Sequence, residues 1–187
     1  MPVMIALLRG INLAGRNRVK MDELRKLCES QKLRNVQTHI QSGNVVFSTE
    51  EKDVARLAKR LEEAIERKFG FHANVVVRSL SELKQIIARS PFASRKGLNP
   101  GLLTVTFLGC DLAKEKCDRI LAIKAGSEEL KLGKRELYIY YPDGIGKSKL
   151  GPALDRILEK SGTFRNWNTV TKLLEMAEAM EAIAKAQ

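Results

Sequence analysis

The chain has 187 residues, 44% of them hydrophobic, with 33 Lys plus Arg against 22 Asp plus Glu for a formal net charge of +11. That length allows one domain or two small ones, and the composition is that of a folded globular protein, which excludes a disordered or fibrous chain. No apolar run reaches the roughly 18–20 residues needed to cross a bilayer, and the start MPVMIALLRG has neither a basic leader region nor a cleavage site. A cytoplasmic protein with no membrane partner is therefore expected.

Residues 3–8 form a continuous apolar run too short for a helix, which predicts a buried strand. A polar, glycine-containing loop covers 9–18. Met21, Leu24, Leu27 and Cys28 then recur at helical spacing and predict an amphipathic helix over about residues 20–31. Val36, Thr38 and Ile40 alternate with polar neighbours, and residues 44–48 resume a strand after Ser42-Gly43, the pattern of a tight hairpin. Val54, Leu57, Leu61, Ile65 and Phe69 mark one face of a second helix that Gly70 ends. A strand over 74–78 follows, and Ser79 with Glu82 forms a capping box for a helix that Pro91 stops.

The same order can be read again after the segment 91–101: strand 102–108, helix 112–124, strands 128–132 and 136–141, helix 150–159, a short extended piece at 164–167, and a terminal helix from Thr169. The fold class expected is α+β. Two duplicated ferredoxin-like, split βαβ subdomains, residues 1–90 and 91–187, each lay helices on an antiparallel sheet, and a C-terminal helix completes the chain.

The cysteines Cys28, Cys110 and Cys117 are odd in number, contain no C-x-x-C pair, and fit reduced, small, buried residues. His39 and His72 fall in strand-like segments without a second ligand at metal-binding spacing, so no metal and no cofactor is expected.

Three polar stretches interrupt the apolar pattern. The first runs from Arg9 to Lys20, a glycine-flexed loop between strand and helix in which Arg9, Arg16, Arg18 and Lys20 can hold phosphate, with Asn12 serving either a ligand or the turn. The second is Gly144-Ile145-Gly146-Lys147-Ser148. It ends like a phosphate loop, but the full pattern requires glycine at position 141, where Tyr141 stands. A turn leading to a helix capped by Ser148 remains, with anion affinity at the helix start, and Asp143 is the one carboxylate placed to act as an acid or base. The third stretch is Arg165-Asn166-Trp167-Asn168 before an apolar-faced helix. Asn168 or Thr169 would cap that helix, while Arg165, Asn166 and the indole could recognise a planar ligand.

Ala6 to Asn12 (ALLRGIN), Ile40 to Phe47 (IQSGNVVF), Tyr141 to Leu150 (YPDGIGKSKL) and Arg165 to Glu175 (RNWNTVTKLLE) together resemble a bacterial family of conserved hypothetical proteins, the domain of unknown function catalogued as sixteen ninety-seven. The resemblance covers nearly the whole chain and implies two ferredoxin-like halves; it implies no activity, cofactor or catalytic residue. Three readings of function follow. In the first, the basic loops bind single-stranded nucleic acid or a nucleotide, with Tyr138 and Tyr140 on one strand face in place of a fuller stacking platform. In the second, Arg9, Asn12, Ser42, Asn44, Lys147, Arg165 and Asn168 bind a phosphorylated metabolite in a cleft between the halves, with Asp143 as acid/base. In the third, the motifs serve structure or protein interaction only.

Overall fold

A computed structural model of the chain describes residues 1–13, 15–124 and 126–186. Two four-stranded antiparallel sheets appear, each with the strand order of a split βαβ unit. The elements are β1 (Val3–Leu8), α1 (Met21–Ser30), β2 (Arg34–His39), β3 (Asn44–Ser48), α2 (Val54–Phe69), β4 (Val75–Ser79) and α3 (Leu80–Ala88), followed by β5 (Leu103–Phe107), α4 (Lys114–Leu121), β6 (Glu129–Leu132), β7 (Glu136–Tyr140), α5 (Leu150–Ile157), β8 (Thr163–Asn166) and α6 (Trp167–Ala186). The first sheet is ordered β2-β3-β1-β4 and the second β6-β7-β5-β8, so the duplication expected from the sequence is present. By contacts the chain divides into Met1–Lys84 with α6 from Lys172 onward, and Gln85–Thr171. The end of α6 thus groups with the first sheet, not with residues 91–171; Glu178 there lies 3.0 Å from Lys84 of α3.

In the first unit, side chains alternate across the central strand β1. Met4, Ala6 and Leu8 join Val45, Phe47, Val75 and Val77 in a core closed by Leu24, Leu27 and Cys28 of α1 and Leu57, Leu61, Ala64 and Ile65 of α2. The opposite face, with Ile5, Leu7, Val46, Val76 and Arg78, is equally buried, which is why β1 reads as a continuous apolar run and not as an alternating one. The Asp53 carboxylate caps α2 by accepting from the N–H groups of Ala55 and Arg56, both at 3.0 Å, and Gly70 closes it in the left-handed conformation. Ser79 and Glu82 form the expected capping box at α3.

The β2–β3 connection spans residues 40–43, and Ile40 leaves the predicted strand with φ +48, 54% exposed. Gly43 carries φ +76, and a Cβ there would stand 2.7 Å from Leu8 Cβ and 2.9 Å from Ile11 Cδ1. On the other side of β2, pairing with β3 shifts register between Arg34 and Gln37, and Asn35 takes φ +54 within that irregularity.

The second unit repeats the plan. Leu108, Leu137, Ile139 and Tyr141 pack with Ile120 of α4 and Leu150, Leu154 and Ile157 of α5. On the other sheet face Tyr138 is 1% exposed and donates its hydroxyl to the Ile86 carbonyl at 2.7 Å, while Tyr140 stacks near Phe92 and beneath Arg95. The cysteines divide: Cys28 is buried, Cys117 half-buried and Cys110 exposed, since it stands in the turn after β5 and not on the packed face of α4. His72 lies before β4 and not within it, next to Asn74 Oδ1 at 3.0 Å. Among the described residues no group of three His, Cys, Asp or Glu could hold a metal ion, and no helix is long and apolar enough to cross a membrane.

Two stability predictions follow from this packing. Gly43→Ala imposes both backbone strain and a steric conflict, so urea denaturation should show a loss of about 2–3 kcal/mol. Burial holds the Cys28 thiol up at about 12, against an ordinary 9.0. Its neutral form therefore stabilises the fold fully below pH 9, and that contribution is lost as pH rises from 9 to 12, by up to about 4 kcal/mol at 1.36 kcal/mol per pH unit. Cys28→Val should flatten that part of the stability–pH curve.

Candidate functional site

The loop between β1 and α1 is built by its own side-chain amides. Asn12, at φ +52, donates from Nδ2 to the carbonyls of Val19 (3.0 Å) and Gln41 (2.8 Å) and accepts the Val19 N–H on Oδ1 at 2.8 Å. Asn17, at φ +50, donates to the Gly10 carbonyl at 2.9 Å. These bonds tie Gly10 and Asn12 to Asn17 and Val19 and tether Asn12 to the β2–β3 turn, so Asn12 serves the loop and has little hydrogen-bonding capacity left for a ligand. Ser42 and Asn44 serve the same turn: Asn44, fully buried, donates to the His39 carbonyl at 3.1 Å and to Ser42 Oγ at 2.9 Å.

What the clamp creates is an open cleft of about 690 Å³ bordered by Arg18, Lys20, Asp22, Glu23 and Gln41, with Asn12 in its wall. Lys20 sits at the N-cap position of α1 and contributes no side-chain cap, and residues 20–23 at this helix start line the cleft. Asp22 is paired with Arg25 on the next turn. Arg16 and Arg18 are exposed, whereas Arg9 is half-buried at the end of β1 and donates its backbone N–H to the Asn74 carbonyl. Gln41 belongs to the cleft and is invisible to pattern reading, because a single exposed Gln in a turn carries no periodic or charge signal.

In the second unit Asp143, Lys147 and Ser148 share a smaller cavity of about 380 Å³ with Ser127, Glu128 and Tyr141. Asp143 is exposed and accepts the Ser127 hydroxyl at 2.5 Å; Ser148 Oγ accepts the Leu150 N–H at 3.0 Å from one residue before the N-cap position of α5, which Lys149 occupies without a side-chain cap. A Ser148 hydrogen bond and the Gly126 N–H hold the Glu128 carboxyl below its ordinary value. Residues 145–147 form a single 3-10 turn, with none of the extended backbone cradle of a nucleotide-hydrolysing loop.

The third stretch is local architecture. Arg165, 8% exposed, donates to Thr163 Oγ1 and to the Phe164 carbonyl, both at 2.8 Å, and burial lowers its pKa to about 10. Asn166 donates to the Gly101 carbonyl at 2.7 Å and accepts the Asn168 N–H at 3.0 Å. The cap of α6 is therefore Asn166, not Asn168 or Thr169, because the helix begins two residues earlier than the apolar stripe suggested, with half-buried Trp167 as its first residue. The tyrosine platform also fails: Tyr138 has no face to offer a base, and β1, β3, β5 and most of β7 are covered on both sides.

Comparison with known proteins adds fold and family. A family model described as a protein of unknown function, DUF1697, matches residues 1–138. Among solved structures, the conserved bacterial protein SP0830 from Streptococcus pneumoniae is similar with a TM-score of 0.78 and 23% identity, covering 94% of this chain and 98% of that one. At that identity the likeness concerns the fold alone. No curated protein matches the chain.

The Asn12 clamp has a measurable consequence. Asn12→Ala removes three hydrogen bonds, so it should cost about 1–3 kcal/mol in chemical denaturation and speed amide exchange at Val19 by a comparable free energy.

Proposed function

Since the chain belongs to the DUF1697 family of proteins of unknown function, its own residues must carry the functional argument, and we propose that it binds a phosphate-bearing small ligand, a nucleotide in particular, at the β1–α1 cleft. The observation that carries this reading is the amide-stapled loop that presents Arg18 and Lys20 beside the start of α1. An anion placed there accepts hydrogen bonds from helix N–H groups, meets the positive end of the helix dipole, and is flanked by two cations. Arg16 adds charge nearby, and the Asp22–Arg25 pair reduces the local negative charge.

A long single-stranded nucleic acid is the weaker form of the reading, because that mode needs an open sheet face with stacking aromatics, and Tyr138 and Phe47 are both buried. The net charge of +11 still favours an anionic partner through long-range attraction. Three free cysteines fit a reducing, cytoplasmic setting.

Nucleotides such as ATP and GTP, and pyrophosphate, should raise the melting temperature, while the parent nucleosides should not. Arg18→Ala and Lys20→Ala should each weaken binding about tenfold in calorimetry, with affinity falling as salt rises. Equal affinity in wild type and the double variant would overturn the assignment.

A further inference from the structure

At the opposite end of the first sheet lies a second cavity, of about 660 Å³, lined by Lys32, Leu33 and Arg34 from the α1–β2 junction, by Thr49, Glu50 and Glu51 beyond β3, and by Arg60 of α2. Its position follows from the register: Ser48 pairs with Val3 and with Arg34 at this end, whereas Asn44 pairs with Leu7 and His39 at the end that carries the stapled loop.

The charges here are arranged unusually. Three cations, Lys32, Arg34 and Arg60, border one cavity, and among the described residues none of them makes an ion pair or a side-chain hydrogen bond, although three glutamates share the same walls. Glu51 is turned elsewhere, accepting the Asp53 N–H at 3.1 Å and lying 3.6 Å from Arg56 Nε. Arg60 is the most enclosed of the three, and its Nε is buried and has no hydrogen-bond partner among the described residues. Buried donors are nearly always satisfied, so the unpaired Nε sets Arg60 apart from a solvated surface cation, and the guanidinium in the cavity wall has no partner among the described residues. Thr49 reinforces this. It is 2% exposed, its Oγ1 accepts the Glu51 N–H at 3.1 Å, and its own proton has no acceptor among the described residues.

We propose that this cavity is a second anion site, which takes the phosphoryl group of a small phosphate ester. A tetrahedral phosphate offers oxygens in several directions at once, as three cations and a hydroxyl on separate elements require, and the two terminal nitrogens of a guanidinium present parallel N–H donors to such a group. The exposed carboxylates of Glu29 and Glu50 are placed to accept from hydroxyls on the rest of the ester. The site depends neither on the stapled loop nor on the function proposed for it.

The test is a titration of the Arg60 Nε–Hε resonance by NMR with inorganic phosphate and with glycerol 3-phosphate, in wild-type protein and in R18Q/K20Q, against sodium chloride at equal ionic strength. Both phosphates should move the resonance in both proteins, the ester at lower concentration, and chloride should not. In the R18Q/K20Q background, calorimetry should show R34Q and K32Q each weakening glycerol 3-phosphate binding at least tenfold. Both residues are exposed on the surface, so their replacement should leave the fold intact. A resonance that stays fixed, or one that moves equally with chloride, would overturn the site. So would wild-type affinity in R34Q. Loss of the shift in R18Q/K20Q alone would assign the phosphate to the loop and reject the second site, whereas its persistence there without loop binding would reject the loop and keep this one.

Discussion

The constraint on which the molecule depends is that its central strands are buried on both faces. In β1 no residue exceeds 4% exposure, and β3 and β5 are likewise buried throughout. A sheet in that state contributes hydrophobic stabilisation from both surfaces, but it leaves no open face for recognition. Polar chemistry is displaced to the ends of the strands, where loops emerge and where backbone groups lose their ladder partners. The stapled loop after β1, the turn after β7 and the cavity before β2 all stand at such ends.

Displacement to the strand ends also explains how side chains are used. Amides such as Asn12, Asn17, Asn44 and Asn166 bond mainly to backbone carbonyls and N–H groups that the sheets cannot satisfy. Several residues that stand out as polar features in the sequence therefore hold the loops in shape. The cations beside them, Arg18 and Lys20 at one end and Lys32, Arg34 and Arg60 at the other, border the two open cavities.

The duplicated order of elements was legible in the residues, because each helix shows an apolar stripe and each central strand a short run of β-branched and aliphatic residues. Helix ends were legible where a cap has a local signature, as at Ser79–Glu82, and failed at α6, where Asn166 caps a helix whose first turn carries Trp167 and not the apolar stripe. Of the candidate site residues, Arg18 reached a cleft, while Asn12, Ser42, Asn44 and Asn166 proved to serve turns and caps. The distinction between an amide for a ligand and an amide for a carbonyl depends on which backbone group lies within 3 Å, which spacing along the chain does not encode. Arg60 illustrates the converse: on a helix face it looks like one more solvated cation, and only the burial of its Nε sets it apart.

The irregular edge of the first sheet bears on how this protein behaves at high concentration. β2 ends that sheet and is largely exposed, so it presents unpaired backbone groups to any other chain it meets. The register shift between Arg34 and Gln37, with Asn35 in a left-handed conformation, breaks the straight run of donors and acceptors that edge-to-edge pairing requires, and Arg34 places a charge at the break. At the corresponding edge of the second sheet, β6 is only four residues long and alternates Glu129 and Lys131 with its leucines. The two halves thus protect themselves against self-association by different means, one through a distorted backbone and the other through brevity and charge.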